Sequence, residues 1–343
     1  MKTIYRVCLA VAALAVIVAG CTGASHIKAL QPATPPQAPL LRVPAVLPAV
    51  QLGVEIDGYT YPGQDVAKAA QQDIAYITGL HANSVVISFP FFMDSPDSVS
   101  VHATPATPTP QQLAVIVADA QNAGLYVVVR PLLDDGNLHT SRTLWSPANQ
   151  GAWFASYRTF LLPYAAMAQA DHIQEFVVGT EFSRFARSRY WAPLDAALSR
   201  VYSGTLAFAN NWGSAFLEGA GGNVIETVDA YPPLSPPLLP AWEAFDRALP
   251  AGTVETEVGI AAVSSAYRAP YRPSWPTSVL DPAVQATWFS NACRAALATH
   301  LGGIYFWDIG LGKISRPTLA DQGGWAYSAG AQAIEQCFAQ VVP

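Results

Sequence analysis

The chain has 343 residues, of which 18 are Lys or Arg and 24 are Asp or Glu, for a formal net charge of −6. That acidic balance contains no basic stripe, so nucleic acid is not a partner the sequence supports. Charged residues make up 12 % of the chain and aromatic ones 11 %, a balance suited to a neutral, ring-shaped ligand that stacks on aromatic faces.

The chain opens on a processing signal. Lys2 and Arg6 precede an apolar run (9–20) that is too short to span a bilayer comfortably and ends at Cys21. Val18, Ala19, Gly20 and Cys21 resemble a bacterial lipobox, in which the cysteine is acylated and becomes the mature N-terminus. Residues 1–20 are therefore expected to be a lipoprotein signal peptide, with ordinary secretion and cleavage near Ala24 as the alternative. Residues 21–50 hold the lipidated Cys21 and six prolines with almost no charge, a composition that favours an extended tether over a packed core. The expected location is the cell envelope, on the outer face of a bacterial membrane, with the lipid as the membrane contact. Without Lys2 and Arg6 the mature chain has 16 bases against 24 acids, a net of −8.

The remaining residues, 51–343, fit one large domain. Short apolar runs recur along it at 53–57, 84–91, 125–132, 175–181, 205–212, 224–231, 253–260 and 303–310, with helical patterns between them. One helix is expected after Thr109 as N-cap, with Pro110 in its first turn and Gly124 near its end. Another should follow over 150–173. Eight β-then-α units favour an α/β fold, a single (β/α)8 TIM barrel, over an open doubly wound sheet. No glycine-rich phosphate loop follows the first strand, and Gly219, Gly221 and Gly222 open no capped helix. His26, His81, His102, His139, His172 and His300 are scattered without metal-ligand spacing, so neither metal nor cofactor is expected. Cys293 and Cys337, both in late helical segments, are a possible disulfide in an exported protein.

In such a barrel, functional groups belong at the carboxyl ends of strands. Those ends carry Asp57 and Tyr59, Phe91 and Asp94, Arg130 with Asp134 and Asp135, Glu181, Asn211 and Trp212, Asp229 and Tyr231, Glu257, and Trp307 with Asp308. Glu181 and Glu257 stand out, because each closes an apolar run and a lone carboxylate there is costly to bury without a partner or a task. Two carboxylates facing each other across a cleft are the arrangement glycoside hydrolysis needs, although a salt-bridged acid at a strand end reads the same way for either residue alone.

The pieces in order resemble glycoside hydrolase family 113, barrel enzymes of the retaining β-mannanase type. The densest likeness runs from Trp153 to Glu181, a Trp-Phe-x-x-Tyr helix feeding a strand that ends Gly-Thr-Glu. Asn211-Trp212, Tyr231-Pro232, Thr256-Glu257-Val258-Gly259, Gln285 and Tyr305-Phe306-Trp307 continue it over roughly 50–335. The resemblance implies Glu181 as acid/base and Glu257 as nucleophile, with carboxyl groups about 5–5.5 Å apart. It also implies a β-1,4-linked polysaccharide or oligosaccharide substrate, mannan first. Another β-linked glycan (β-glucan, xylan or an envelope polysaccharide) and a glycan-binding lipoprotein without turnover are the alternatives.

Arg130, Asn211, Trp212, Tyr231 and Trp307 are the expected substrate contacts, with neutralisation of core acids the other reading of Arg130. Asp57 and Asp308 read as hydroxyl binders or helix caps. Glu255, two before Glu257, is expected on strand periodicity to point into the same interior one layer deeper, as a rival nucleophile or as a partner of Arg130. Trp145, Trp153 and Trp242 read as core. The aromatic, arginine-rich segment 264–281 reads as one wall of a cleft or as surface decoration.

Overall fold

The computed structural model describes residues 47–214, 224–272, 274–276 and 278–341. The 1–20 segment, Cys21, most of the 21–50 tether and the turn with Gly219, Gly221 and Gly222 lie outside the described residues.

Eight parallel strands close into a barrel in chain order: β1 (Gln51–Asp57), β2 (Ser84–Phe91), β3 (Tyr126–Leu133), β4 (Glu175–Thr180), β5 (Thr205–Asn211), β6 (Ile225–Asp229), β7 (Val254–Val258) and β8 (Gly303–Gly310). Among the described residues seven α-helices surround it: α1 (Val66–Gly79), α2 (Pro110–Asn122), α3 (Gln150–Ala170), α4 (Trp191–Leu198), α5 (Leu238–Asp246), α6 (Pro282–Ala298) and α7 (Ala329–Phe338). The fold is a (β/α)8 barrel. Between β5 and β6 the described residues form a short 3-10 turn, Trp212–Ser214, and residues 215–223 lie outside the described residues.

Local chemistry explains the boundaries. The Thr109 side chain accepts from the Gln112 N–H and Gln112 answers at the Thr109 N–H, a full capping box with Pro110 in the first turn. Gly124 follows α2 at φ +81°, a conformation glycine adopts without strain.

The inward residues form layers. Near the amino ends, the Tyr305 hydroxyl donates to Gln51 Oε1 at 2.6 Å, and Tyr126 and Glu175 lie beside them. Val86, Val128, Val177, Ala207, Ala209 and Val254 fill the middle of the barrel. Small inward residues leave the upper layer open for charge, and there Glu55, Arg130 and Asp229 are fully buried. A disulfide joins Cys293 of α6 to Cys337 of α7 across a Cα separation of 6.4 Å.

Two irregularities in the ladder set the direction of the glutamates. The β4–β5 register shifts between Val177 and Gly179. The β7 register shifts against both neighbours around Glu255 and Glu257. A bulge of this kind breaks the simple alternation of faces. Val254 and Glu257 consequently both serve the barrel interior, while Glu255 turns outward to Asp246 of α5. The expectation that Glu255 sits beneath Glu257 with Arg130 as its cation is corrected here: strict period two fails across the bulge. Burial raises Glu255 well above the ordinary carboxyl range, the Asp246 charge adds to this, and a hydrogen bond joins the two acids. Asp246 is itself pushed up to about 7, chiefly by burial. The two carboxyls lie together in the barrel wall, remote from the chemistry above.

Candidate active site

Glu181 follows β4 directly, at φ +57°. Its N–H donates to the Ala209 carbonyl at 2.8 Å, and this contact carries the β4–β5 ladder one residue past the strand. Behind it, Phe182 packs edge-on against Trp153 with ring centroids 5.6 Å apart. Tyr157 donates its hydroxyl to the Val178 carbonyl at 3.0 Å. The Trp-Phe-x-x-Tyr helix is thus the packing backstop of the strand end. Gly179 is needed for the same reason: a Cβ there would lie 2.6 Å from Trp191 and 2.8 Å from Phe208.

Two donors hold the Glu181 carboxylate. Asn211 Nδ2 donates to Oε1 at 2.6 Å, and Arg142 Nε donates to Oε2 at 3.3 Å. Asn211 was among the expected contacts. Arg142 was not, because it lies in the connection after β3, where no periodicity points to it.

Glu257 has a different setting. The Tyr231 hydroxyl donates to its Oε2 at 2.7 Å, and Arg130 Nη2 donates to its Oε1. Gly259 makes the tyrosine contact possible, since a Cβ there would lie 3.0 Å from the Tyr231 ring. Arg130 also donates to both oxygens of Glu55 at 2.7 Å and to Asp229 at 2.9 Å. With no accessible surface, Arg130 forms the floor under Glu257. The expectation of a substrate contact is therefore corrected, and the neutralising reading of Arg130 describes its position. Glu55 was also missed, although a charged residue inside the apolar run 53–57 was a visible signal.

The electrostatics follow from three acids around one cation. Burial raises Glu55 and Asp229 well above the usual carboxyl range; Arg130 opposes this for both, and the Glu257 charge reinforces it. Burial would lower Arg130, but the three carboxylates outweigh it and keep the guanidinium protonated. Burial also raises Glu257, with Arg130 opposing, the Glu181 charge adding to the rise, and the Tyr231 hydrogen bond opposing it. Asp229 Oδ2 has no partner among the described residues. Within the cluster Glu257 has the two contacts, from Arg130 and Tyr231, that favour an ionised carboxylate.

Around this pair the remaining expected residues take varied places. Trp307 lies half-buried beside the cluster, its ring 5.7 Å from the Arg130 guanidinium carbon. Trp212 stacks on Tyr271 at 6.2 Å, so the 264–281 segment reaches the end of β5 and reads as a wall. Asp57 and Asp308 cap no described helix. Burial pushes Asp57 up to about 6, with Glu257 adding to the rise, and its Oδ1 is unpartnered. Burial raises Asp308 well above its ordinary value, with Asp57 and Glu257 adding to it. Asp94 turns away into an exposed contact with His102. Trp145, Trp153 and Trp242 are core residues. Among the described residues no cluster of His, Cys, Asp or Glu could hold a metal ion.

Residues 59–322 match the family model described as Glycoside Hydrolase Family 113. A solved family 113 β-1,4-mannanase complex superimposes with a TM-score of 0.72 at 17 % identity, covering 84 % of this chain and 99 % of the other. The family 113 β-mannanase AaManA from Alicyclobacillus acidocaldarius, solved with ManMIm, gives a TM-score of 0.71 at 19 % identity, covering 85 % of this chain and 97 % of that one. A family 5 enzyme from Streptomyces cattleya, solved with Manβ1-4GlcNAc, gives 0.56 at 14 % identity, covering 84 % and 80 %. Comparison with curated protein sequences gives no match. At these identities the superpositions speak for a shared fold.

Proposed function

The chain belongs to glycoside hydrolase family 113, and on that premise we propose that it cleaves β-1,4-linked mannan with retention of configuration through Glu181 and Glu257. The observation that carries this reading is the pair itself. Two carboxyls at the carboxyl ends of β4 and β7 are held by separate donors and are close enough for the Glu181 charge to act on Glu257. That similarly folded solved structures are family 113 β-mannanases supports mannan over other β-linked chains.

In the first half-reaction a Glu257 carboxylate oxygen attacks the anomeric carbon. The bond from that carbon to the glycosidic oxygen breaks, and the Glu181 carboxyl gives its proton to the leaving oxygen. In the second, Glu181 takes a proton from water, the water oxygen attacks the same carbon, and the ester to Glu257 breaks. Arg130 and Tyr231 hold Glu257 in place for both steps. Asp57 and Asp308 accept from sugar hydroxyls, while Trp307 and the Trp212–Tyr271 pair offer ring faces for stacking.

The test is a hydrolysis panel of β-linked polysaccharides followed by proton NMR. Mannan should be cleaved fastest, with the β-anomer of the new reducing end appearing first. A faster rate on β-glucan or xylan would remove mannan from the reading. An α-anomer appearing first would remove retention.

We also propose that residues 1–20 are a lipoprotein signal peptide, that Cys21 is lipidated and that 21–50 tether the barrel to the cell-envelope surface, on the strength of Val18-Ala19-Gly20-Cys21 and the proline-rich composition. Cys21→Ser should move the protein from the membrane to the soluble fraction with its activity intact. Unchanged membrane retention would refute the lipid anchor.

A further inference from the structure

Arg142 stands in the connection between β3 and α3, yet it is firmly anchored. Its Nη1 donates to the Leu133 carbonyl at the end of β3, and its Nε donates to Glu181 Oε2 at 3.3 Å. Trp145, three residues on, is buried against Trp153 and Phe185 and donates to the Pro96 carbonyl at 2.9 Å. Arg184, in the 3-10 turn just after Glu181, donates to the Leu144 carbonyl at 3.1 Å. The loop is therefore tied to the β4 end on both sides of the carboxylate. Only 18 % of the Arg142 side chain is exposed.

A guanidinium at this place has a chemical consequence. It favours the ionised form of the carboxyl it touches. That opposes proton donation in the first half-reaction and serves proton acceptance in the second. A retaining enzyme needs both, so the group that biases the carboxyl decides which half-reaction is the slower.

We propose that Arg142 is a positioning residue that holds the Glu181 carboxylate in place as the general base of deglycosylation. This rests on the acid/base reading of Glu181. The groups facing Glu181 are Arg142 from the β3–α3 connection, Asn211 from the end of β5, Asp229 and Tyr231 from β6 and its loop, and Glu257 from β7. Asn211 is neutral, Tyr231 stays protonated because burial raises it well above its ordinary value, and the other two are acids. Arg142 is thus the cation in direct contact with this carboxylate among the described residues. Asp135 and Glu257 also act on Arg142 and help to keep it charged.

The experiment uses the full-length protein with Arg142→Gln and Arg142→Lys, on mannan and on an activated aryl β-mannoside whose leaving group needs no proton. With the activated substrate, glycosyl-enzyme should accumulate in Arg142→Gln. Its kcat should fall about 10- to 100-fold, the range a hydrogen bond to a charged group commands, and KM should fall with it so that kcat/KM is nearly unchanged. Azide, which needs no base, should restore much of that kcat, and Arg142→Lys should recover part of it unaided.

A fall in kcat/KM with kcat unchanged would make Arg142 a substrate contact. Equal losses of kcat on both substrates without an azide response would make it a structural residue. Either result overturns the proposal. Glu181→Gln, assayed alongside, separates the two levels. If it too lacks an azide-sensitive kcat defect on the activated substrate, the acid/base reading fails and this inference with it. If it has that defect and Arg142→Gln does not, only the role of Arg142 fails.

Discussion

Glu257→Ala should lose essentially all turnover on polysaccharide, a fall on the order of 10⁴–10⁶-fold, because the carboxylate that forms the covalent intermediate is gone. Glu255, the neighbour that resembles it in sequence, faces away behind the bulge and is paired with Asp246. Azide should partly restore the variant by occupying the space the carboxylate vacates, and the product should be the α-glycosyl azide, of inverted configuration. Glu181→Ala should fall less on mannan, about 10²–10⁴-fold, the range a general acid supplies. With activated substrates it should give the β-azide, because Glu257 still forms the intermediate. NMR of the two azide products assigns the roles. A β-azide from Glu257→Ala, or an α-azide from Glu181→Ala, would exchange them.

Arg130→Met should be the most damaging change to the fold itself. Methionine keeps much of the volume but leaves Glu55, Asp229 and Glu257 crowded in the barrel without a cation. Removing one member of a buried ionic cluster costs about 3–5 kcal/mol, and urea unfolding should register a loss of that size. Adding Glu55→Gln and Asp229→Asn should recover a good part of the stability, since two of the three stranded acids are then neutral. Activity should not return, because Glu257 keeps only the Tyr231 hydrogen bond. A single variant within about 1 kcal/mol of the parent would mean that the cluster is neutralised by protons alone and that Arg130 contributes little.

The eight strands were legible because each is a short apolar run between helical patterns, and Glu181 and Glu257 were legible because each interrupts such a run with a charge. Strand ends moved by a residue or two, as in β6, which is Ile225–Asp229 within the wider run 224–231. What sequence missed has physical causes. A bulge leaves no mark on composition, so counting in twos aimed Glu255 inward. Burial of a cation depends on which acids other strands bring to it, so sequence left Arg130 open between a neutraliser of core acids and a substrate contact. Arg142 sits in an irregular connection whose path is set by Trp145 and Arg184, and no local pattern of residues encodes that path. Tyr231 and Gly259 were read as parts of a motif. Their reason for standing together, a ring that must slide past a missing Cβ, belongs to three dimensions.

The left-handed backbone at Glu181 also bears on how this barrel should be engineered. A side chain bearing a Cβ gives up about 1–2 kcal/mol in that conformation, and glycine gives up none. A redesign scored on backbone comfort alone would therefore vote glycine into position 181 and count it an improvement, yielding a hardier and inert molecule. Position 181 has to be exempted from any such search. The same left-handed backbone recurs at His81, His139, His172, His300 and Tyr327, and among these described positions Glu181 is the one that directly follows a strand.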